Sequence, residues 1–514
     1  MAQKIVLIFP ACNVKVFGSN EKVARPEKAV SPPLGLLYLA TELISAGYAV
    51  ECCDYNAEKY SEEHLSLLIR DADIVGVSVL SFNRTSSHSL IQTVRRLVPS
   101  LPIIAGGADC ILHRKPVPGT VLTVVEEAET IIVDIVAAVL ENRPFSELSG
   151  VVFTDGRGMV RQGRPFRYPR DLDFIKFPNR ALVRDNKGYS IIGKRSREVA
   201  TIITSRGCPR HCTFCAHGAI AYQRYRARSP ENVLREIEII AAQGYRLLGI
   251  VDDNFTADKA RARSILQGII DREIKMTIAV QGRVDAADFD LFCLMRQAGV
   301  RGITFGLESG NQAALDFYNK GTTVAMNERA VRLADKAGLY TGGIFIFGAP
   351  MEKASDFQRT YRFAASLPLD VTTFWILDYT YGSTLWQRAF EQGRIAAYEC
   401  NVPAGIERGT SPYSTRFIEK FAQDCFFHYY RRPGYWLRQA VKLARIRDRY
   451  FLSVLAAGIG WVVARKMEMA LSKLRLQAGV MRAMLFPARN PEEKANCRLY
   501  PPVSPSTSST SPAK

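Results

Sequence analysis

The sequence predicts an α/β protein in three parts: an N-terminal Rossmann-like unit, a partial (β/α)6 barrel, and a helical C-terminal region. Three observations predict it. Short apolar runs alternate with helical periodicity through residues 1–145. After a Gly-, Pro- and Arg-rich connector (146–199), the alternation resumes over 200–385 with longer periods and six strands. Over 386–500 strands give way to helices dense in aromatic and basic side chains, and 501–514 is a Ser/Pro-rich tail of disordered composition.

Taken in order, "KIVLIF" (4–9) reads as a buried strand and "LGLLYLATELISAG" (34–47) as a helix closed by Gly47. Strands follow at 49–55, 73–80 and 101–107, with helices near 61–70 and 86–98. "VLTVV" and a helix from Glu127 to about Leu140 complete a five-strand unit. In such sheets ligands bind beyond the carboxyl ends of the strands. The connector carries two short strands around "TDGRG". Barrel strands read at 200–205, 247–252, 276–280, 301–306, 342–347 and 372–377. Six βα units are too few to close an eight-fold barrel, so the barrel is open on one side, with its chemistry at the strand C-termini.

A chain of 514 residues is too long for one core, and 47% hydrophobic with 23% charged residues is a globular composition. Eleven cysteines, an odd and scattered set, make no disulfide framework. The start "MAQKIVLIFPAC" has no basic n-region or cleavage site, so a reducing cytoplasm is expected. The net charge of +18 is concentrated: between Arg416 and Arg498 seventeen Lys/Arg face six Asp/Glu, giving +11 there. Such a surface suits nucleic acid, anionic lipid or an acidic substrate.

"SRGCPRHCTFC" (205–215) holds the one tight cysteine trio, Cys208, Cys212 and Cys215, directly after the first barrel strand. A cubane iron–sulfur cluster held wholly by protein takes four thiolates; three leave one iron open to a small molecule. The competing reading is zinc, with His211 or His217 as fourth ligand.

The C-x3-C-x2-C spacing, with Phe214 inside it and six βα units around it, resembles the radical S-adenosylmethionine superfamily from Ala200 to about residue 385. "YRARSPENVLREIE", "IVDDNFT", "QGRVDA", "FGLESG" and "GGIFIFGAP" resemble successive segments of the same family. The resemblance implies a [4Fe–4S] cluster on the trio and S-adenosylmethionine on the open iron. Its one-electron cleavage to a 5′-deoxyadenosyl radical abstracts hydrogen from unactivated carbon. It also implies Arg283 and Glu308 as S-adenosylmethionine contacts, with Asp253 and Asn254 nearby.

"SPPLGLLYLATELISAGYAVECCDYNAE", "DADIVGVSVLSFNRTSS" and "LPIIAGGADC" resemble the cobalamin-binding domain that precedes the barrel in one large subgroup. There a methyl group passes from S-adenosylmethionine to cobalt and on to a substrate radical. Two features depart from that subgroup. No Asp-x-His-x-x-Gly run offers a lower cobalt ligand, and the usual "GEGE" turn is "EEAE" (126–129), which removes two glycines and their backbone freedom. A domain that keeps the fold and serves only as a dock is the alternative. By position at strand ends, Ser78, Ser81, Gly106 and Gly107 are the candidate cobalamin contacts.

The C-terminal stretch combines basic residues, the aromatic anchors Tyr435, Trp436, Tyr450 and Trp461, and an apolar run from Phe451 to Ala464. That run is shorter than the ~20 residues that span a bilayer. It suits helices lying on an anionic membrane surface, or helices that pack on the barrel. The layout resembles the hopanoid methylases that act at carbon 3. It implies methylation of an unactivated carbon in a polycyclic isoprenoid lipid, peripheral contact with an anionic inner membrane face, and a reductant such as flavodoxin or ferredoxin. A radical cyclase acting on a lipid or tetrapyrrole is the nearest alternative. A tRNA-modifying radical enzyme or a cobalamin- or redox-sensing protein fits less well, so nucleic acid is not the expected partner.

Overall fold

Strand β1 (Lys4–Phe9) is apolar on both faces: Val6 and Ile8 enter one core, Ile5 and Leu7 the other. That pattern demands cover on both sides, which the helices supply. The computed structural model describes residues 2–12, 31–183, 189–191, 194–195, 198–217 and 225–446. Helix α1 (Leu34–Ser45) and, further on, α5 (Ile132–Leu140) cover the Ile5 face; α2 (Glu62–Ile69) and α3 (Arg84–Leu97) cover the Val6 face. β1 lies between β2 (Ala49–Asp54) and β3 (Ile74–Ser78), parallel to both. β4 (Ile103–Gly106) and β5 (Leu122–Val124) extend the parallel run. The order 2-1-3-4-5 puts its switch point between β1 and β3, where a crevice opens at the strand ends.

Two expectations change here. The connector's strands, β6 (Val151–Thr154) and β7 (Val160–Gln162), are antiparallel additions that make the sheet seven-stranded. Helix α5 starts at Ile132, not Glu127. Residues 126–131 form a turn instead, because their carboxylates are taken by arginines outside it.

The six barrel strands, Val199–Ile202, Leu247–Ile250, Thr277–Gly282, Val300–Glu308, Tyr340–Phe347 and Val371–Ile376, pair in chain order and all parallel. Amphipathic helices return between them. The first, Pro230–Ala242, is set by the Ser229 cap and proline at its start. Buried Glu236 on this helix bonds Arg228 and the connector's Arg180, each at 2.5 Å, which pins the connector to the barrel.

The first and last barrel strands leave open edges, a liability unless covered. Helix Thr415–Arg431 covers the last one. The Tyr430 hydroxyl takes Thr372 N–H at 2.8 Å and donates to Thr372 C=O at 3.1 Å, completing the strand's backbone bonding. The next helix, Pro433–Ile446, turns its cations inward: Arg438 donates to Leu367 and Leu369 carbonyls, and Lys442 bonds Asp370 at 2.5 Å and Asp335 at 2.8 Å.

This corrects the reading of the aromatic, basic stretch as a surface. Tyr435 is 5% exposed and donates to Asp370 C=O, and Trp436, partly buried, donates to Tyr430 C=O, so both take part in packing on the barrel. Tyr450, Trp461, the run Phe451–Ala464 and the tail lie outside the described residues. Among the described residues no helix is long and apolar enough to cross a membrane.

Lys442→Met strands buried Asp370 without its cation and is expected to cost about 3–5 kcal/mol. Arg445→Ala, an exposed pair to Asp335, is expected to cost under about 1 kcal/mol. Thermal melts of the two variants check the contrast.

Candidate cofactor site

The loop carrying the trio leaves the first barrel strand through a two-residue ladder, Ser205–Arg206 against Arg226–Ala227. Buried Asp252, at the end of the second strand, fixes the exit: it accepts from Thr204 N–H at 2.6 Å, from the Thr204 hydroxyl, and from the Ser205 hydroxyl at 2.7 Å. The loop then docks on the segment after the fourth strand. Thr213 donates its N–H to Tyr318 C=O at 2.9 Å and its hydroxyl to Phe317 C=O at 3.0 Å, and Asn319 donates to His211 C=O at 2.9 Å. Phe214 packs edge-on against Tyr318, centroids 5.3 Å apart. The aromatic inside the cysteine motif is thus a clamp for the loop.

All three cysteines are free thiols. Burial pushes Cys208 up and Cys215 up to about 11, and the neighbouring sulfurs push the same way. A metal bound here must displace those protons. Among the described residues the trio of ligand atoms drawn within 4.8 Å of one another is Cys53, Glu58 and His64, so the loop sulfurs are spread wider than that. Three thiolates without a fourth protein ligand suit a cubane with one iron left open. His217 is also committed elsewhere, its Nδ1 2.8 Å from the Asp253 carboxylate. The residues fit a cluster.

Arg283, buried at the end of the third strand, donates to the Cys212 sulfur at 3.6 Å and to Lys320 C=O at 2.6 Å. Burial opposes its charge, but Asp285 and Cys212 outweigh burial and raise its pKa. A fixed cation therefore stands beside the thiolate ligands. Glu308, at the end of the fourth strand, has φ +59 and bonds Lys320 Nζ at 2.6 Å. A left-handed glutamate is strained, and strain of this kind gathers at ligand sites. Asp253 lines the cavity described next. Asn254 does not: its carbonyl accepts from Thr256 N–H and hydroxyl, closing a turn. Lys320 and Asp285 were not singled out from the sequence: Asp285 lies inside the quoted "QGRVDA", where Arg283 took the attention, and Lys320 lies beyond the fourth strand's segment.

A cavity of about 540 Å³ opens at the strand ends of the N-terminal sheet and reaches the cluster loop. Phe9, Ser78, Gly106 and Gly107 line one side; Arg206, Gly207, His217 and Asp253 line the other. It continues as an apolar slot between the sheet and helices α1 and α5, past Leu7, Gly76, Leu39 and Val136. A side chain at Gly76 would meet Leu7 at 2.6 Å, and one at Gly107 (φ +114) would meet Val79 C=O at 2.6 Å. Ser81 is not part of the lining; its hydroxyl is turned to Asp109 at 3.2 Å, where Arg84 is also bound.

The "EEAE" turn lines this cavity without any left-handed residue, so it needs neither missing glycine. Room for Glu126 comes from Gly150, where a Cβ would lie 2.9 Å from the glutamate. Glu126 bonds Arg114 at 2.7 Å and accepts from the Tyr168 hydroxyl. Glu127 pairs with Arg206 at 3.0 Å and with Arg226, and Glu129 pairs with Arg206. Burial opposes the Arg206 charge, but Glu129 and Glu127 hold it above the ordinary guanidinium range. The apolar slot and the glycines at the strand ends fit a corrin with a tail.

Replacing Cys208, Cys212 or Cys215 by Ala is expected to abolish cluster assembly while the fold survives. Iron and sulfide content after anaerobic reconstitution checks it, and a full complement of iron in any one variant would contradict the ligand assignment.

Two family models match the chain: the B12 binding domain over residues 23–136 and the radical SAM superfamily over residues 202–364. An uncharacterised methyltransferase of Pyrococcus horikoshii is 26% identical over 439 residues, 84% of this chain and 93% of the relative. The anaerobic magnesium-protoporphyrin IX monomethyl ester cyclase of Cereibacter sphaeroides is 26% identical over 460 residues, 84% of this chain and 72% of the relative. The hopanoid C-3 methylase of Methylococcus capsulatus is 24% identical over 351 residues, 65% and 64% of the two chains. The fold is similar to that of the radical S-adenosylmethionine methyltransferase TsrM from Kitasatospora setae, solved with cobalamin and a [4Fe–4S] cluster. The TM-score there is 0.63 at 22% identity, over 76% of this chain and 78% of that one. The chain thus joins a B12-binding domain to a radical SAM domain, and with them the cofactors cobalamin, S-adenosylmethionine and a [4Fe–4S] cluster, and the relatives it aligns with include both methyltransferases and a ring cyclase.

Proposed function

We propose that the enzyme methylates an unactivated carbon of a polycyclic isoprenoid lipid. The observation that carries the reaction class is the shared cavity: strand ends of the B12-binding domain and the cluster loop of the barrel line one space. When bound, the cluster with S-adenosylmethionine supplies hydrogen abstraction from carbon, and cobalamin supplies the methyl group.

The chain's own residues hold and orient. Cys208, Cys212 and Cys215 would carry the cluster and leave one iron open. Arg283 sets positive charge beside the Cys212 sulfur, and Glu308 with Lys320 forms a fixed ion pair at the neighbouring strand end. These groups are the contacts proposed for S-adenosylmethionine, with Asp253 at the cavity side. Ser78, Gly106 and Gly107 would meet the corrin from below, and the apolar slot would exclude water from its tail. The site also requires a one-electron reductant such as flavodoxin or ferredoxin.

The lipid reading is supported by the likeness to the hopanoid C-3 methylase and by the apolar, basic sequence after Ile446. Contact with an anionic inner membrane face belongs to the same proposal. A second reading, ring closure of a tetrapyrrole, is favoured by the likeness to the cyclase, which spans more of this chain.

Reconstituted enzyme given S-adenosylmethionine with a deuterated methyl group, a low-potential reductant and a polycyclic lipid extract is expected to yield lipid carrying that methyl. Mass spectrometry reads it. Ring closure of a supplied magnesium porphyrin ester, without added methyl carbon, would replace the methylation reading with the cyclase one.

A further inference from the structure

Arg206 and Arg226 stand directly opposite each other in the ladder that opens the cluster loop. Like charges so placed oppose pairing. Among the described residues the carboxylates that neutralise them, Glu127 and Glu129, come from the turn of the N-terminal domain. Glu127 bridges both arginines, and Glu129 adds a second bond to Arg206. Arg206 lies two residues before Cys208 and is itself mostly buried, with 16% of its side chain exposed. The same turn forms part of the cavity wall. Glu127 and Glu129 thus border the cavity and hold the start of the cluster loop with their carboxylates. The remaining carboxylate, Glu126, bonds Arg114 and Tyr168, and Arg226 lies over the Tyr168 ring, 5.2 Å from its centroid.

We propose that Glu127 and Glu129 are positioning residues that act through Arg206 to couple corrin binding to assembly of the cluster loop. A loop ordered by its cluster holds Arg206 in place, Arg206 holds the acidic turn, and the turn shapes the corrin cavity. The reverse holds equally, because coupling between two binding sites is reciprocal. The inference rests on the cavity taking cobalamin.

The test is a pair of spectrophotometric titrations with hydroxocobalamin. One uses the full chain loaded with its cluster; the other uses the same chain stripped of iron by a chelator. Wild type is expected to bind the corrin more tightly when loaded, by a factor of about five or more, the low end of common couplings. In Glu127→Gln/Glu129→Gln that ratio is expected to fall to about one while both forms still bind. Glu141→Gln, which removes an exposed carboxylate of the same domain paired with Arg143 outside the cavity, is expected to keep the wild-type ratio. A ratio of one in wild type, or a wild-type ratio in the double variant, overturns the inference. If the double variant loses its circular-dichroism spectrum, Arg206→Lys decides. It keeps the charge but cannot bond two carboxylates as a fork, so a lowered ratio is expected and an unchanged one overturns the inference. No corrin binding by wild type in either form overturns the cofactor assignment and this inference together.

Discussion

Two arginines face each other across a ladder only two residues long, and among the described residues the carboxylates that hold them come from outside the barrel. Arg206 and Arg226 become tolerable together because the acidic turn of the N-terminal domain reaches them. Much of the site follows from that constraint. The turn gives up the first residues of its expected helix to reach the arginines. The cluster loop starts from a fixed point, and the cavity acquires a wall shared by both domains. Burial makes these pairs costly to break singly, since each partner left alone is a charge without water.

The parts of the fold that were legible are those where one pattern had one solution. The parallel strands of both units were read to within a few residues because their apolar runs are covered on both faces. The cysteine trio was legible because its spacing and its place after the first strand point to the same chemistry. Side-chain direction at strand ends was not. Leu80 lines the cavity and Ser81, one residue on, turns to Asp109. Asn254 closes its own turn, while its neighbour Asp253 faces the cavity and holds His217. A polar residue in such a place either faces the ligand or satisfies local backbone, and one position decides which. The acidic turn was misread for a related reason. Its glycines looked indispensable, but room for Glu126 is made by Gly150, whose contact with it no local pattern reveals.

The C-terminal region shows why charge counted along a chain is a poor guide to surface. Arg432, Arg438 and Lys442 all donate to carbonyls around the starts of the last two barrel strands. Tyr430 supplies the backbone partners that an open sixth strand lacks. Aromatic and basic residues here close an unfinished barrel. The exposed cations remaining on these helices are fewer than the sequence suggests, and the membrane-facing role proposed for this end falls to residues after Ile446.

Corrin and cluster are proposed to face one cavity from opposite walls. Pulsed electron paramagnetic resonance on protein carrying cob(II)alamin and a reduced cluster tests this most directly. A dipolar interaction between the two spins, present in wild type and lost in Cys212→Ala, is the predicted result. A cob(II)alamin signal unchanged by reduction of a fully loaded cluster would place the two groups apart and contradict the account.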